Sequence, residues 1–120
     1  DAFSKLTKWR VGAIMTLVHP MFTPIPGQIA ELAVKNRLPS MLPQPEAVVA
    51  GGLMAYGRDT VALYRRAAVF VDKILKGRKP SDLPIEQPMK FELVINLKTA
   101  KEIGLTIPQW TLMKADRVIR

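Results

Sequence analysis

"GGLMAYGRD", residues 51–59, decides how the chain folds. Two glycines lead into four residues that suit a buried strand, 53–56. Gly57 follows, then Arg58 and Asp59, and then a long amphipathic stretch. The passage reads as a helix end, a turn, a strand and the start of another helix. Gly51 and Gly52 suit the turn, because a residue without Cβ takes backbone conformations closed to others. Gly57 stands where the strand gives way to the helix. A phosphate cradle is excluded: its glycines follow a strand and open a helix, and two of these three precede the strand.

Downstream, the clearest helix covers 59–76. Asp59 starts it, Gly77 ends it, and Tyr64, Ala67/Ala68, Val71 and Leu75 form its apolar stripe. The proline-rich 78–88 reads as a surface connection. Residues 90–96, "KFELVIN", alternate as a strand, with Phe91, Leu93 and Ile95 on one face. Asn96 then caps a short helix closed by Gly104. The tail from 105 onward carries no definite signal.

Upstream, a short helix begins near Pro45, a residue tolerated in a first helical turn. Residues 38–43 form a short strand. In 27–37, Ile29, Leu32 and Ala33 share a helix face, with Asn36 as the left-handed stop. "HPMFTPIPG", 19–27, holds three prolines and reads as a stiff loop. Before it, "VGAIMTLV", 11–18, is continuously apolar, as in a strand buried on both faces. Phe3, Leu6 and Trp9 mark the last turns of a helix.

Strand alternating with helix points to α/β, a three-layer αβα arrangement with a mainly parallel sheet. Ligands of such sheets sit beyond the carboxyl ends of the strands. The loops that matter are then 19–27, 43–46 and 57–59. They hold His19, Met21, Phe22 and Gln44, with Tyr56 at the strand end just before the third: aromatic rings, a thioether, an imidazole and an amide. Apolar pockets with a few aimed polar groups have this composition. The same residues also suit a core edge, with Met21 and Phe22 capping it and Tyr56 packed under the long helix.

The composition narrows the chemistry. At 120 residues and 48% hydrophobic, the chain is one domain in size and can bury a core. Its net charge of +8 suits nucleic acid, an anionic membrane or an acidic ligand. The densest basic run, "KILKGRK" at 73–79, lacks the interleaved aromatics of single-strand binders. It reads as a solvated helix end whose cations suit the helix dipole, and nucleic acid is not an expected partner. With no cysteine, disulfides and thiolate chemistry are excluded. A single histidine and scattered carboxylates show no metal-ligand spacing, and no nucleophile elbow appears, so neither cofactor nor catalysis is expected. A start at Asp1 suggests a piece of a longer or processed chain.

The order of "GGLMAYG", "DKILKGRKPSDLPIEQP" and "FELVINLKTAKEIGLTIP" resembles the substrate-binding proteins of ABC transporters, in the group of tryptophan- and tyrosine-type solute receptors. The resemblance spans about residues 11–108. It implies a type 1 periplasmic binding protein: two α/β lobes joined by crossover strands, with ligand enclosed between them. This chain then corresponds to the C-terminal lobe plus segments that return toward a missing N-terminal lobe. The implied function is an extracytoplasmic receptor that hands a small solute to a membrane permease, without catalysis. Surfaces made to face the missing lobe would favour pairing of two copies. Tryptophan-type members carry Thr-Asp-Asn after the first strand of this lobe; here Val18, His19 and Pro20 stand there. Their next loop is acidic; here Gln44 and Pro45 occupy it, with Glu46 beyond. A neutral, aromatic or carboxylate ligand is then as credible as a zwitterion. The competing reading is the ligand-sensing lobe of a transcriptional regulator or signalling receptor.

Overall fold

The structure is a computed structural model that describes residues 2–22 and 24–120. The chain divides into two units, Asp1–Gly57 with Glu92–Arg120, and Arg58–Phe91.

The first unit holds the sheet and most of the core. In chain order come α1 (Ala2–Lys8), β1 (Ile14–Met15), α2 (Pro26–Lys35), β2 (Ser40–Leu42), α3 (Pro45–Val49) and β3 (Met54–Arg58). After the second unit follow β4 (Phe91–Asn96), α5 (Leu97–Glu102), α6 (Gln109–Met113) and β5 (Arg117–Ile119). The five strands lie in the order β1-β2-β3-β4-β5. β1, β2 and β3 are parallel, with Ile14 opposite Ser40 and Leu42 opposite Ala55. β4 and β5 are parallel to each other, with Val94 opposite Arg117.

The neighbours β3 and β4 run against each other. In the first unit the Asn96 N–H donates to the Leu53 carbonyl at 2.8 Å, and in the second the Asp59 N–H donates to the Lys90 carbonyl at 3.0 Å. Rising numbers on one strand meet falling numbers on the other, as in an antiparallel ladder. The sheet is therefore mixed α/β and mostly parallel, with one reversal in its middle.

Pleating sorts the side chains. Leu42 packs with Ile29, Ala30 and Ala47 of α2 and α3, joined by half-buried Phe3, Phe22 and Ile25. Ala55 and Val94 pack with Val48, joined by Ile119. On the opposite face Met15, Met41 and Met54 stand in one register row across three strands.

Several expectations change in detail. The apolar run 11–18 is not a strand buried on both faces: only Ile14 and Met15 join the ladder, at the sheet edge, and Met15, Leu17 and Val18 are exposed. β3 does not stop at Gly57 but continues through it to Arg58. In β4, burial does not keep to Phe91, Leu93 and Ile95: Phe91 is exposed, and Val94, Ile95 and Asn96 are all buried, as the inner half of a strand covered on both faces should be. Asn36 is not left-handed (φ −92°); Arg37 takes that conformation at φ 52°. The tail resolves into α6 and β5, whose strand identity depends on a partner far back in the chain.

The second unit is α4 (Thr60–Leu75), a single 3₁₀ turn (Pro80–Asp82) and the extended chain leading into β4. Asp59 caps α4, accepting from the Ala62 N–H at 2.9 Å, and Gly77 closes it at φ 95°. Arg66 forms a two-pronged ion pair with Glu86. Among the described residues none on α4 is buried, so the stripe through Tyr64, Ala68, Val71 and Leu75 lies open.

Candidate functional site

The parallel ladders bring three loops to one end of the sheet. Met15, Met41 and Met54 share a row; two residues further on, Leu17, Pro43 and Tyr56 stand level. Gln44 follows Pro43, and His19 lies two residues past Leu17. The approach is close at Gly57, where a Cβ would stand 1.9 Å from the Pro43 carbonyl oxygen. Only glycine fits there, so its place in β3 is set by the crowded strand end.

The loop after β1 is organised around His19. Its Nδ1 accepts from the Met21 N–H at 3.2 Å, and its carbonyl accepts from the Phe22 N–H at 2.9 Å. The His19 and Phe22 rings lie 6.0 Å apart at 57°. Phe22 then turns inward against the cluster of Ile29, Ala30, Leu42 and Ala47. It also lines an apolar cavity of about 340 Å³ with Phe3, Leu6, Ile14 and Ile29. Met21 and Tyr56 stay open, at 66% and 54% exposure, and Gln44 is half-buried. Tyr56 lies on the face of the methionine row, opposite the helices α2 and α3. The five residues thus share one end of the sheet, four of them presented outward to some degree and Phe22 anchored in the core.

The reversal at β4 adds residues that the sequence did not point to. Because β4 runs opposite to β3, its beginning and that of β5 reach the same end. There Asp116 Oδ2 accepts from the Leu93 N–H at 2.7 Å, and the Asp116 N–H donates back to the Leu93 carbonyl at 2.9 Å. Arg117 pairs loosely with Glu92 at 3.7 Å. Lys114 sits over the Trp110 ring at 5.5 Å. Only knowledge of the reversed strand could have found them, since no local pattern marks where a strand enters a sheet.

The groups gathered at this end are ring faces that can stack, an amide and an imidazole that can hydrogen-bond, and charges of both signs. Among the described residues, no group of three or more histidines and carboxylates gathers as a metal site.

The model of the ABC transporter substrate binding protein family matches residues 3–119. The chain belongs to that family. It covers 98% of its length on a conserved domain protein from Vibrio cholerae, at 23% identity and TM-score 0.88, and spans 39% of that chain. The ABC domain in complex with L-Trp from Streptococcus pneumoniae is 28% identical, with TM-score 0.84, 98% of this chain covered and 40% of that one. A ligand-free, open substrate binding protein with adhesive properties from Clostridium difficile gives TM-score 0.67 at 18% identity, covering 99% of this chain and 39% of that one. No match was found among curated proteins. The chain therefore spans about two-fifths of the length of these solved neighbours.

Proposed function

We propose that this chain is one lobe of the extracytoplasmic receptor of an ABC import system. It binds a small organic solute, an amino acid or aromatic compound, at the strand end holding His19, Met21, Phe22, Gln44 and Tyr56. A second lobe closes over the solute, and the loaded receptor delivers it to a membrane permease. The family match over nearly the whole chain carries this reading. The L-Trp complex of the Streptococcus neighbour supports the solute class.

The unit Arg58–Phe91 is the segment that returns toward the first lobe. Its helix α4 carries an exposed apolar series Val61, Tyr64, Ala68, Val71 and Leu75. The alternating spacing of three and four is that of a helix seam meant to be covered. Closure follows from differential affinity: the solute touches both lobes only in the closed state and so favours it.

Thermal-shift screening of free amino acids and aromatic carboxylates tests the site. The expected result is a rise in Tm with one solute class, lost in Tyr56→Ala while the ligand-free Tm barely moves, because Tyr56 is exposed. The 120-residue chain should bind more weakly than one carrying both lobes. Micromolar binding of a free amino acid by this chain alone would sink the claim that the site needs a second lobe.

A further inference from the structure

The segment 65–79 concentrates the protein's charge. It holds Arg65, Arg66, Lys73, Lys76, Arg78 and Lys79 with one carboxylate, Asp72, a net +5 within a protein of +8; Glu86, outside the segment, pairs with Arg66 and brings the patch to +4. The helical period puts Arg65, Arg66, Lys73 and Lys76 on one side of α4, with half-exposed Val69 among them. That side is turned away from the seam through Tyr64, Ala68 and Val71, so covering the seam leaves the cations open. Arg66 and Lys73 flank the Phe70 ring at 5.3 and 5.8 Å, which stiffens the middle of the stripe. Asp72 is engaged by Lys76 at 2.9 Å. Beyond the helix, Gly77 turns the chain at φ 95°, and exposed Arg78 and Lys79 extend the patch.

We propose that this basic side of α4 is a docking surface for an anionic phospholipid bilayer, holding the receptor near the membrane where its permease stands. The proposal rests on the import reading for its purpose, but its physical basis is separate. Clustered Lys and Arg on an amphipathic helix are attracted to anionic headgroups, by roughly a fivefold gain in partitioning for each cation near the surface. Val69 among the cations adds apolar contact at the headgroup level, which suits a bilayer better than a nucleic acid. The contact is peripheral, since among the described residues no helix is long and apolar enough to cross a membrane.

The experiment is co-flotation with vesicles of mixed phosphatidylcholine and phosphatidylglycerol, against vesicles of phosphatidylcholine alone, at low and moderate salt. Three proteins are compared, with folding checked by circular dichroism: the wild type, a variant with Lys73→Gln, Lys76→Gln, Arg78→Gln and Lys79→Gln, and a charge-matched variant with Lys5→Gln, Lys8→Gln, Lys35→Gln and Lys98→Gln. The wild type should bind only the anionic vesicles, and less so as salt rises. The α4 variant should lose roughly several hundredfold in partitioning, the matched variant far less. Equal loss in both variants would show that net charge acts without the patch, and would overturn the proposal. So would absent vesicle binding, or a DNA duplex that binds as tightly and through the same four cations. Thermal shift with solute, on the same substitutions carried in a chain with both lobes, keeps the two readings apart. Vesicle binding without any solute response removes the import reading and leaves the patch. An intact solute response without vesicle binding does the reverse.

Discussion

At the scale of single residues, helix ends carry most of the local specification. α2 closes with the Leu38 N–H on the Ala33 carbonyl and the Arg37 N–H on that of Val34, which is a Schellman motif. The left-handed position in it falls on Arg37, a residue that pays for this conformation with Cβ crowding. Arg37→Gly should therefore stabilise the protein by roughly 0.5–1 kcal/mol, the gain in strain exceeding the added freedom of the unfolded chain; urea unfolding measures it. Asn96 is the opposite case, a residue already placed well. Its Oδ1 accepts from the Lys98 and Thr99 N–H groups, and its Nδ2 donates to the Val48 carbonyl at 3.3 Å. Thr99 Oγ1 donates alongside to the Gly51 carbonyl at 2.9 Å. Asn96→Ala removes a cap and a buried tie to the α3–β3 turn together, and should cost about 2–3 kcal/mol in the same assay. The cap was legible because it is local: an asparagine between a strand pattern and a helix pattern has one reading. The tie to residue 48 was not, since nothing near Asn96 in sequence marks it.

At the scale of elements, the second unit is held by charge more than by burial. Lys90 Nζ reaches Asp59 Oδ2 at 2.8 Å, and this bond, followed by the Ala62 N–H, holds the Asp59 carboxyl below its ordinary range. Arg66 does the same to Glu86, and Glu86 in turn raises the Arg66 guanidinium. Both carboxylates have depressed folded values, so what they contribute is complete above their unfolded values of about 4. It is lost as pH falls through the folded ones. The helicity of α4 should then be constant down to that range and decline in more acid solution. Circular dichroism across an acid titration checks this, with Asp59→Asn and Glu86→Gln together expected to flatten the decline. The location and ends of α4 were readable from Asp59, Gly77 and the 3.6-residue period. Its exposure was not, because an apolar stripe shows that a face seeks cover and is silent on what supplies it.

At the scale of the whole molecule, the same reasoning applies to the sheet. The alternation of strand and helix gave the α/β class, and loop positions gave the strand end with His19, Gln44 and Tyr56. The reversal at β4 and the entry of β5 lay beyond local pattern, since strand direction is fixed only by pairing. The outer edge of β1 has a consequence of its own. Ile14 and Thr16 bond inward through their N–H groups, to Pro39 and Met41, so the backbone of Ala13, Met15 and Leu17 faces away from β2. The run 11–18 contains neither charge nor proline, and Met15, Leu17 and Val18 are 69%, 70% and 61% exposed. Native edges are ordinarily guarded by lysine, proline or a bulge, and an unguarded apolar edge pairs with another strand. Concentrated solutions of this 120-residue chain should accordingly self-associate, in spite of the repulsion between copies of charge +8. Sedimentation velocity over a concentration series should show a larger species that grows with concentration. Added salt should favour it, by screening that repulsion. Met15→Lys with Leu17→Lys puts guarding charges on the edge at positions that are already open, and should return the chain to monomer with little change in Tm. A larger species that persists in this double variant would place the association elsewhere, with the exposed seam of α4 as the next surface to charge.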